Sequence, residues 1–133
     1  MWPYYPELLS APVPRYTSYP TAADFGALPP FALETALERS DGDVSLYVHI
    51  PFCEEICFYC GCNTARSGKR ERVKAYLAAL HHELESVAHL LSPSAKVRRI
   101  AFGGGSPNAV EPDEFLTLID GLADHFGLTQ CEY

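Results

Sequence analysis

Four cysteines fall within ten residues: Cys53, Cys57, Cys60 and Cys62. The first three are spaced C-x3-C-x2-C and follow the apolar, strand-like run Leu46-Tyr47-Val48-His49-Ile50. Thiolates this close on one loop can converge on an iron–sulfur cluster. With three protein ligands, one iron of a four-iron cluster stays open, and an open iron is where a small molecule can bind and react. Structural zinc usually draws two ligand pairs from separated segments. Here all four thiols share one short loop and Cys60-Gly61-Cys62 is cramped for tetrahedral closure, so the spacing favours iron–sulfur over zinc. A second chemical feature is Gly103-Gly104-Gly105-Ser106-Pro107. Without Cβ atoms, such a segment passes close to a ligand and exposes its N–H and C=O groups. A glycine run alone reads as a flexible turn; it gains meaning when it follows a strand beside a cysteine loop. Cys131 stands apart and reads as a small buried hydrophobe.

The elements that must position these residues follow from hydrophobic periodicity. Residues 1–30 hold seven prolines and show no sustained period, a composition that resists helix and strand. Their aromatics, Tyr4, Tyr5, Tyr16, Tyr19 and Phe25, suggest an arm that packs on a larger body. A short helix is predicted from about Phe31 to Arg39, with Leu33 and Leu37 on one face. Asp41-Gly42 makes a turn, and Val44 to Ile50 reads as a buried strand. Ser67 is placed to cap a helix from about Lys69 to Leu91, whose apolar stripe is Val73, Tyr76, Leu77, Leu80, Leu84, Val87 and Leu91. Val97 to Phe102 is a second strand. Pro112 suits the first turn of a further helix with Phe115, Leu116, Leu118, Ile119, Leu122 and Phe126 as its apolar face, stopped by Gly127. Thr129 to Tyr133 reads as a third strand just beginning.

This β-loop-α alternation implies parallel strands joined by crossovers. The fold class expected is α/β: about two and a half βα units, the N-terminal part of a partial (βα) TIM-like barrel with a proline-rich arm. The expected division is 1–43 for the arm and short helix and 44–133 for the barrel units, cut in the third strand. Both unusual loops leave the carboxyl ends of strands, the end where such folds bind ligands.

Composition narrows the partners. The 133 residues are 47% hydrophobic and 20% charged, an ordinary globular balance. A net charge of −7 gives no electrostatic footprint for nucleic acid or an anionic membrane. No apolar run is long enough to span a bilayer, and no signal peptide follows Met1. A cytoplasmic setting is expected, where clustered cysteines serve as metal ligands rather than disulfides.

The string Tyr47-Val48-His49-Ile50-Pro51-Phe52-Cys53, then Cys57, then Tyr59-Cys60-Gly61-Cys62-Asn63, resembles the oxygen-independent coproporphyrinogen III oxidases, members of the radical S-adenosylmethionine superfamily. Pro14-Arg15-Tyr16-Thr17-Ser18-Tyr19-Pro20-Thr21 and the Gly103–Pro107 segment are similar to the same family. The resemblance implies a [4Fe-4S] cluster on Cys53, Cys57 and Cys60, with S-adenosyl-L-methionine chelated to the open iron. It implies Tyr47, Tyr59, Gly61, Gly104, Gly105 and Ser106 as cofactor-binding residues. Ser106 stands where the family usually has Thr, and the hydroxyl is kept. Cys62 is implied as a catalytic residue near the site rather than a cluster ligand. The implied reaction is oxidative decarboxylation of two propionates of coproporphyrinogen III to vinyl groups, through a 5′-deoxyadenosyl radical, giving protoporphyrinogen IX for haem synthesis. Partners implied are the porphyrinogen and an electron donor of unknown identity; a monomer is expected for the full-length protein, and no activity from this fragment alone. Arg15 is the candidate for a substrate carboxylate. The runner-up is a related haem chaperone, which typically lacks the fourth cysteine and the arm motif, whereas this chain has both. A third reading, a small electron-transfer protein with a four-cysteine cluster, is opposed by the unfinished third strand and the glycine loop.

Two further features have ordinary explanations. His81, Glu85 and His89 share a helix face at four-residue steps, a spacing common on exposed helices. Arg66, Lys69, Arg70, Arg72 and Lys74 form a basic cluster near a helix start, expected to be a solvated face.

Overall fold

Leu46, Val48 and Ile50 alternate with Ser45, Tyr47 and His49, and in the computed structural model this alternation separates a covered from an open sheet face. The structure describes residues 6, 24–106 and 109–128. The chain divides into two units, Met1–Pro30 and Phe31–Tyr133. The arm motif with Arg15, the expected third strand and Cys131 lie outside the described residues, as does Pro107 of the glycine segment.

In the second unit the order is α1 (Ala32–Glu38), β1 (Gly42–Ile50), β2 (Phe52–Cys53), β3 (Ala65–Arg66), α2 (Arg70–Leu90), β4 (Ala95–Gly104) and α3 (Pro112–Phe126). β1 and β4 pair in parallel, with α2 in the crossover between them. This is the expected α/β arrangement. Ordinary alternation would put Val97 and Ile100 on opposite faces. The register instead shifts between Val44↔Val97 and Ser45↔Arg99, which leaves Arg98 as an extra residue in β4. That bulge turns Val97, Ile100 and Phe102 to the side of Leu46, Val48 and Ile50. Arg98 Nε then donates to Asp43 Oδ1 at 3.1 Å.

The core lies between this face and two helices. Val48, Ile50 and Phe52 pack with Val73, Leu77, Leu80 and Leu84 of α2 and with Leu118 and Leu122 of α3. Each such burial contributes about 1.5–3 kcal/mol. α2 keeps the predicted stripe but differs at its start. Its N-cap is Lys69, with no side-chain cap, and Ser67 instead donates its backbone N–H to Cys53 O at 2.9 Å. The extended β3 segment claims Ser67 before the helix begins. α3 opens with Pro112 and a reciprocal cap between Glu111 and Glu114. Gly127 ends it, donating to Ala123 O. Leu116, expected on the apolar face, is exposed, because the helix turns it away from Leu118 and Leu122. His81 is half-buried rather than solvent-facing: its ring lies against Gly121, where α2 and α3 approach. Among the described residues no group of three metal-ligating side chains is placed to hold a metal ion. Arg70 likewise leaves the basic cluster, because its guanidinium pairs with Glu114 of α3. No described helix is long and apolar enough to cross a membrane.

Candidate functional site

β1 ends at Ile50 and the chain continues through Pro51 into the cysteine loop. Two sets of backbone hydrogen bonds fix where that loop leaves and returns. Gly105 and Ser106 donate to Ile50 O and Phe52 O, each at 2.8 Å, tying the glycine segment to one side of β2. Ala65 donates to Pro51 O at 2.6 Å and Ser67 to Cys53 O, so the returning β3 strand pairs with the other side. The loop is therefore closed at its neck by a two-residue parallel ladder.

Side chains lock the same neck. His49 Nε2 lies 3.0 Å from the backbone oxygen of Asn63, and Tyr47 Oη lies 3.3 Å from His49 Nδ1. A carbonyl only accepts, so Nε2 donates to Asn63 O. Tyr76 of α2 donates its hydroxyl to His49 O and meets Phe52 edge-on, ring centres 5.4 Å apart. Burial, with a smaller contribution from Glu83, holds the Tyr76 phenol above its ordinary pKa.

The triple glycine follows from this neck. Gly104 adopts φ +110°, a backbone conformation unfavourable for other residues. A Cβ on Gly105 would lie 2.8 Å from Cys53 Sγ and closer still to Phe52 O. Gly105 is thus required by the cysteine loop itself, a packing reason beyond the ligand-approach reason given by sequence.

Between the two loops opens a cavity of about 520 Å³. Cys53, Cys57, Cys60 and Cys62 line it together with Glu54, Glu55, Thr64, Gly104, Gly105, Ser106 and Ala109. All four thiols are free. All four line one cavity. A cavity of this size lined by four thiols has the donor set of an iron–sulfur cluster, whose usual ligand is thiolate. The thiols are not equivalent. Cys60 is pulled below the ordinary thiol pKa, first by the Cys62 backbone N–H and then by the Thr64 hydroxyl, whose Oγ1 lies 3.8 Å from Cys60 Sγ. Cys62 is pushed up, first by the Cys60 charge and then by its hydrogen bond with Cys60.

Of the other candidate residues, Gly104, Gly105 and Ser106 line the cavity, whereas Tyr47, Tyr59 and Gly61 do not. Tyr47 stands over Gly103 on the open sheet face. Tyr59 is exposed, and its phenol is raised first by a hydrogen bond with Cys57. His49 and Thr64 were missed as site residues. The partner of His49 is a backbone carbonyl, which leaves no side-chain signal to read. Thr64 was legible only as the hydroxyl four residues beyond Cys60.

No protein-family model matches the chain. It is 43% identical over 119 residues to the oxygen-independent coproporphyrinogen III oxidase of Pseudomonas aeruginosa, covering 86% of this chain and 26% of that protein. It is 36% identical over 118 residues to the oxygen-independent coproporphyrinogen III oxidase of Mannheimia haemolytica, covering 87% of this chain and 80% of that protein. Among solved structures, coproporphyrinogen III oxidase (HemN) from Escherichia coli, described as a radical SAM enzyme, superposes with a TM-score of 0.75 at 32% identity. That match covers 93% of this chain and 28% of the solved one. The chain thus spans about a quarter of the length of several relatives it matches.

Proposed function

The chain belongs to the oxygen-independent coproporphyrinogen III oxidase family, and from that premise we propose that it holds the cluster and part of the S-adenosylmethionine site of an enzyme that converts coproporphyrinogen III to protoporphyrinogen IX. The observation that carries this reading is one cavity lined by four free thiols together with Gly104, Gly105 and Ser106. Residues 44–133 are assigned to the catalytic barrel and 1–43 to a preceding arm and short helix.

Cys53, Cys57 and Cys60 are assigned as the ligands of a [4Fe-4S] cluster. The family resemblance supports this ligand set, and Cys62, which lines the same cavity, is assigned as a residue beside the cluster rather than a ligand. When bound, the cluster and S-adenosylmethionine would supply a 5′-deoxyadenosyl radical able to take hydrogen from a substrate propionate, with carbon dioxide and one electron leaving. The backbone of Gly104 and Gly105 and the Ser106 hydroxyl are assigned to the polar end of S-adenosylmethionine. Tyr47 and Tyr59 are assigned to its site from the family resemblance, and Gly61 with them. The neck of hydrogen bonds around β2 keeps the two loops at fixed separation, so the cofactor would be oriented by a rigid frame. A cytoplasmic location and a monomeric state complete the proposal, with the electron donor unassigned.

The test is an anaerobic reaction of the full-length protein, reconstituted with iron and sulfide, given S-adenosylmethionine, a reductant, an electron acceptor and coproporphyrinogen III. Protoporphyrinogen and 5′-deoxyadenosine are expected together, and both are expected to vanish in Cys53→Ser. Haem binding with neither product would favour the chaperone reading instead.

A further inference from the structure

Thr64 occupies a position that the cysteine spacing does not announce. It lines the same cavity as the four thiols, and its Oγ1 lies 3.8 Å from Cys60 Sγ, within reach of a hydrogen bond to sulfur. Its backbone is pinned on both sides. The residue before it, Asn63, is tied through its carbonyl to His49 Nε2 at 3.0 Å. The residue after it, Ala65, donates to Pro51 O at 2.6 Å. The hydroxyl is thus presented to one particular thiol by a frame built from the end of β1, and not by a mobile loop.

We propose that Thr64 is a positioning residue that sets the reduction potential of the cluster by donating its hydroxyl proton to Cys60 Sγ. The inference rests on the assignment of Cys60 as a cluster ligand. A free thiol and a hydroxyl can each donate, but a metal-bound thiolate can only accept, so ligation fixes the direction from Thr64 to sulfur. One-electron reduction adds negative charge that is shared between the cluster and its thiolates. A donor aimed at a thiolate stabilises the more negative, reduced form more than the oxidised form. Hydrogen bonding to cluster sulfur is one of the means by which a protein moves these potentials. Glu54 and Glu55 line the same cavity and act in the opposite sense, since carboxylates disfavour added negative charge. Thr64 offsets them with a directed dipole at the sulfur itself.

The test is a dithionite potentiometric titration of the reconstituted full-length protein, followed by electron paramagnetic resonance, for wild type, Thr64→Val, Thr64→Ala and Thr64→Ser. Iron and sulfide content is measured on each sample. Val and Ala are expected to carry a wild-type complement of iron and sulfide but to reduce at a more negative potential. Ser, which keeps the hydroxyl, is expected to stay near wild type. A purely structural role for Thr64 would lower cluster content without moving the potential of the clusters that form. Where Val fails to load, Ala and Ser decide. An unchanged potential in the hydroxyl-free variants, or an equal shift in Ser and Ala, would overturn the proposal. Failure of the wild type to assemble a cluster would overturn the ligand assignment itself, and the iron and sulfide measurement separates that result from the first.

Discussion

Gly105 illustrates how a single residue ties two loops together. Its missing side chain leaves room for Cys53 Sγ and the Phe52 carbonyl. Gly105→Ala forces either the glycine segment or β2 to move, and backbone is the rigid partner. A loss on the order of 1–3 kcal/mol is expected from such overpacking, together with reduced iron loading. Gly103→Ala is expected to be milder, because the added methyl meets the Tyr47 ring, a side chain with exposed space to turn into. Thermal unfolding and iron content of the two variants check the contrast. Equal effects would mean that the neck is looser than its hydrogen bonds indicate. At this scale the sequence was clear about thiol spacing, since C-x3-C-x2-C is a pattern of residue types. It was silent on His49, Asn63 and Thr64, because their connection runs through a backbone oxygen whose position depends on the returning strand.

At the scale of elements, the helix pair behind the sheet is braced at one end by Arg70 and Glu114. Glu114 has two tasks: it pairs with Arg70, and it accepts from the Glu111 N–H at 3.2 Å as half of the α3 cap. Glu114→Ala is expected to cost about 1–2 kcal/mol, as a cap loss with a partly exposed ion pair added. Arg70→Ala is expected to cost less, since the cap survives. Unfolding midpoints of the two variants test the order, and a larger loss for Arg70→Ala would contradict it. The helices and main strands were legible because α2 and α3 carry sustained apolar periods and β1 alternates cleanly. β2 and β3 were not, because two-residue strands have no period to detect. The assignment of Ser67 as a cap failed for the same reason: its N–H belongs to that unseen ladder. The bulge at Arg98 was equally invisible, although the three-residue step from Val97 to Ile100 is its trace.

At the scale of the molecule, α2 and α3 cover one face of the β1–β4 pair. On the other face of these described strands stand Tyr47, His49, Ala101 and Gly103. The cavity opens at the carboxyl end of both strands, the end that carries ligand sites in folds built of βα units. The glycine segment and the cysteine loop meet there because parallel strands deliver both loops to the same edge. The three-thiol assignment, from which the proposed chemistry follows, is tested most directly by electron paramagnetic resonance of the reduced, cluster-loaded full-length protein, with and without S-adenosylmethionine. The expected result is a cluster signal that changes on adding S-adenosylmethionine, is lost in Cys53→Ser, Cys57→Ser and Cys60→Ser, and persists in Cys62→Ser. A signal indifferent to S-adenosylmethionine, or one lost in Cys62→Ser while a variant of the other three retains it, would contradict the assignment.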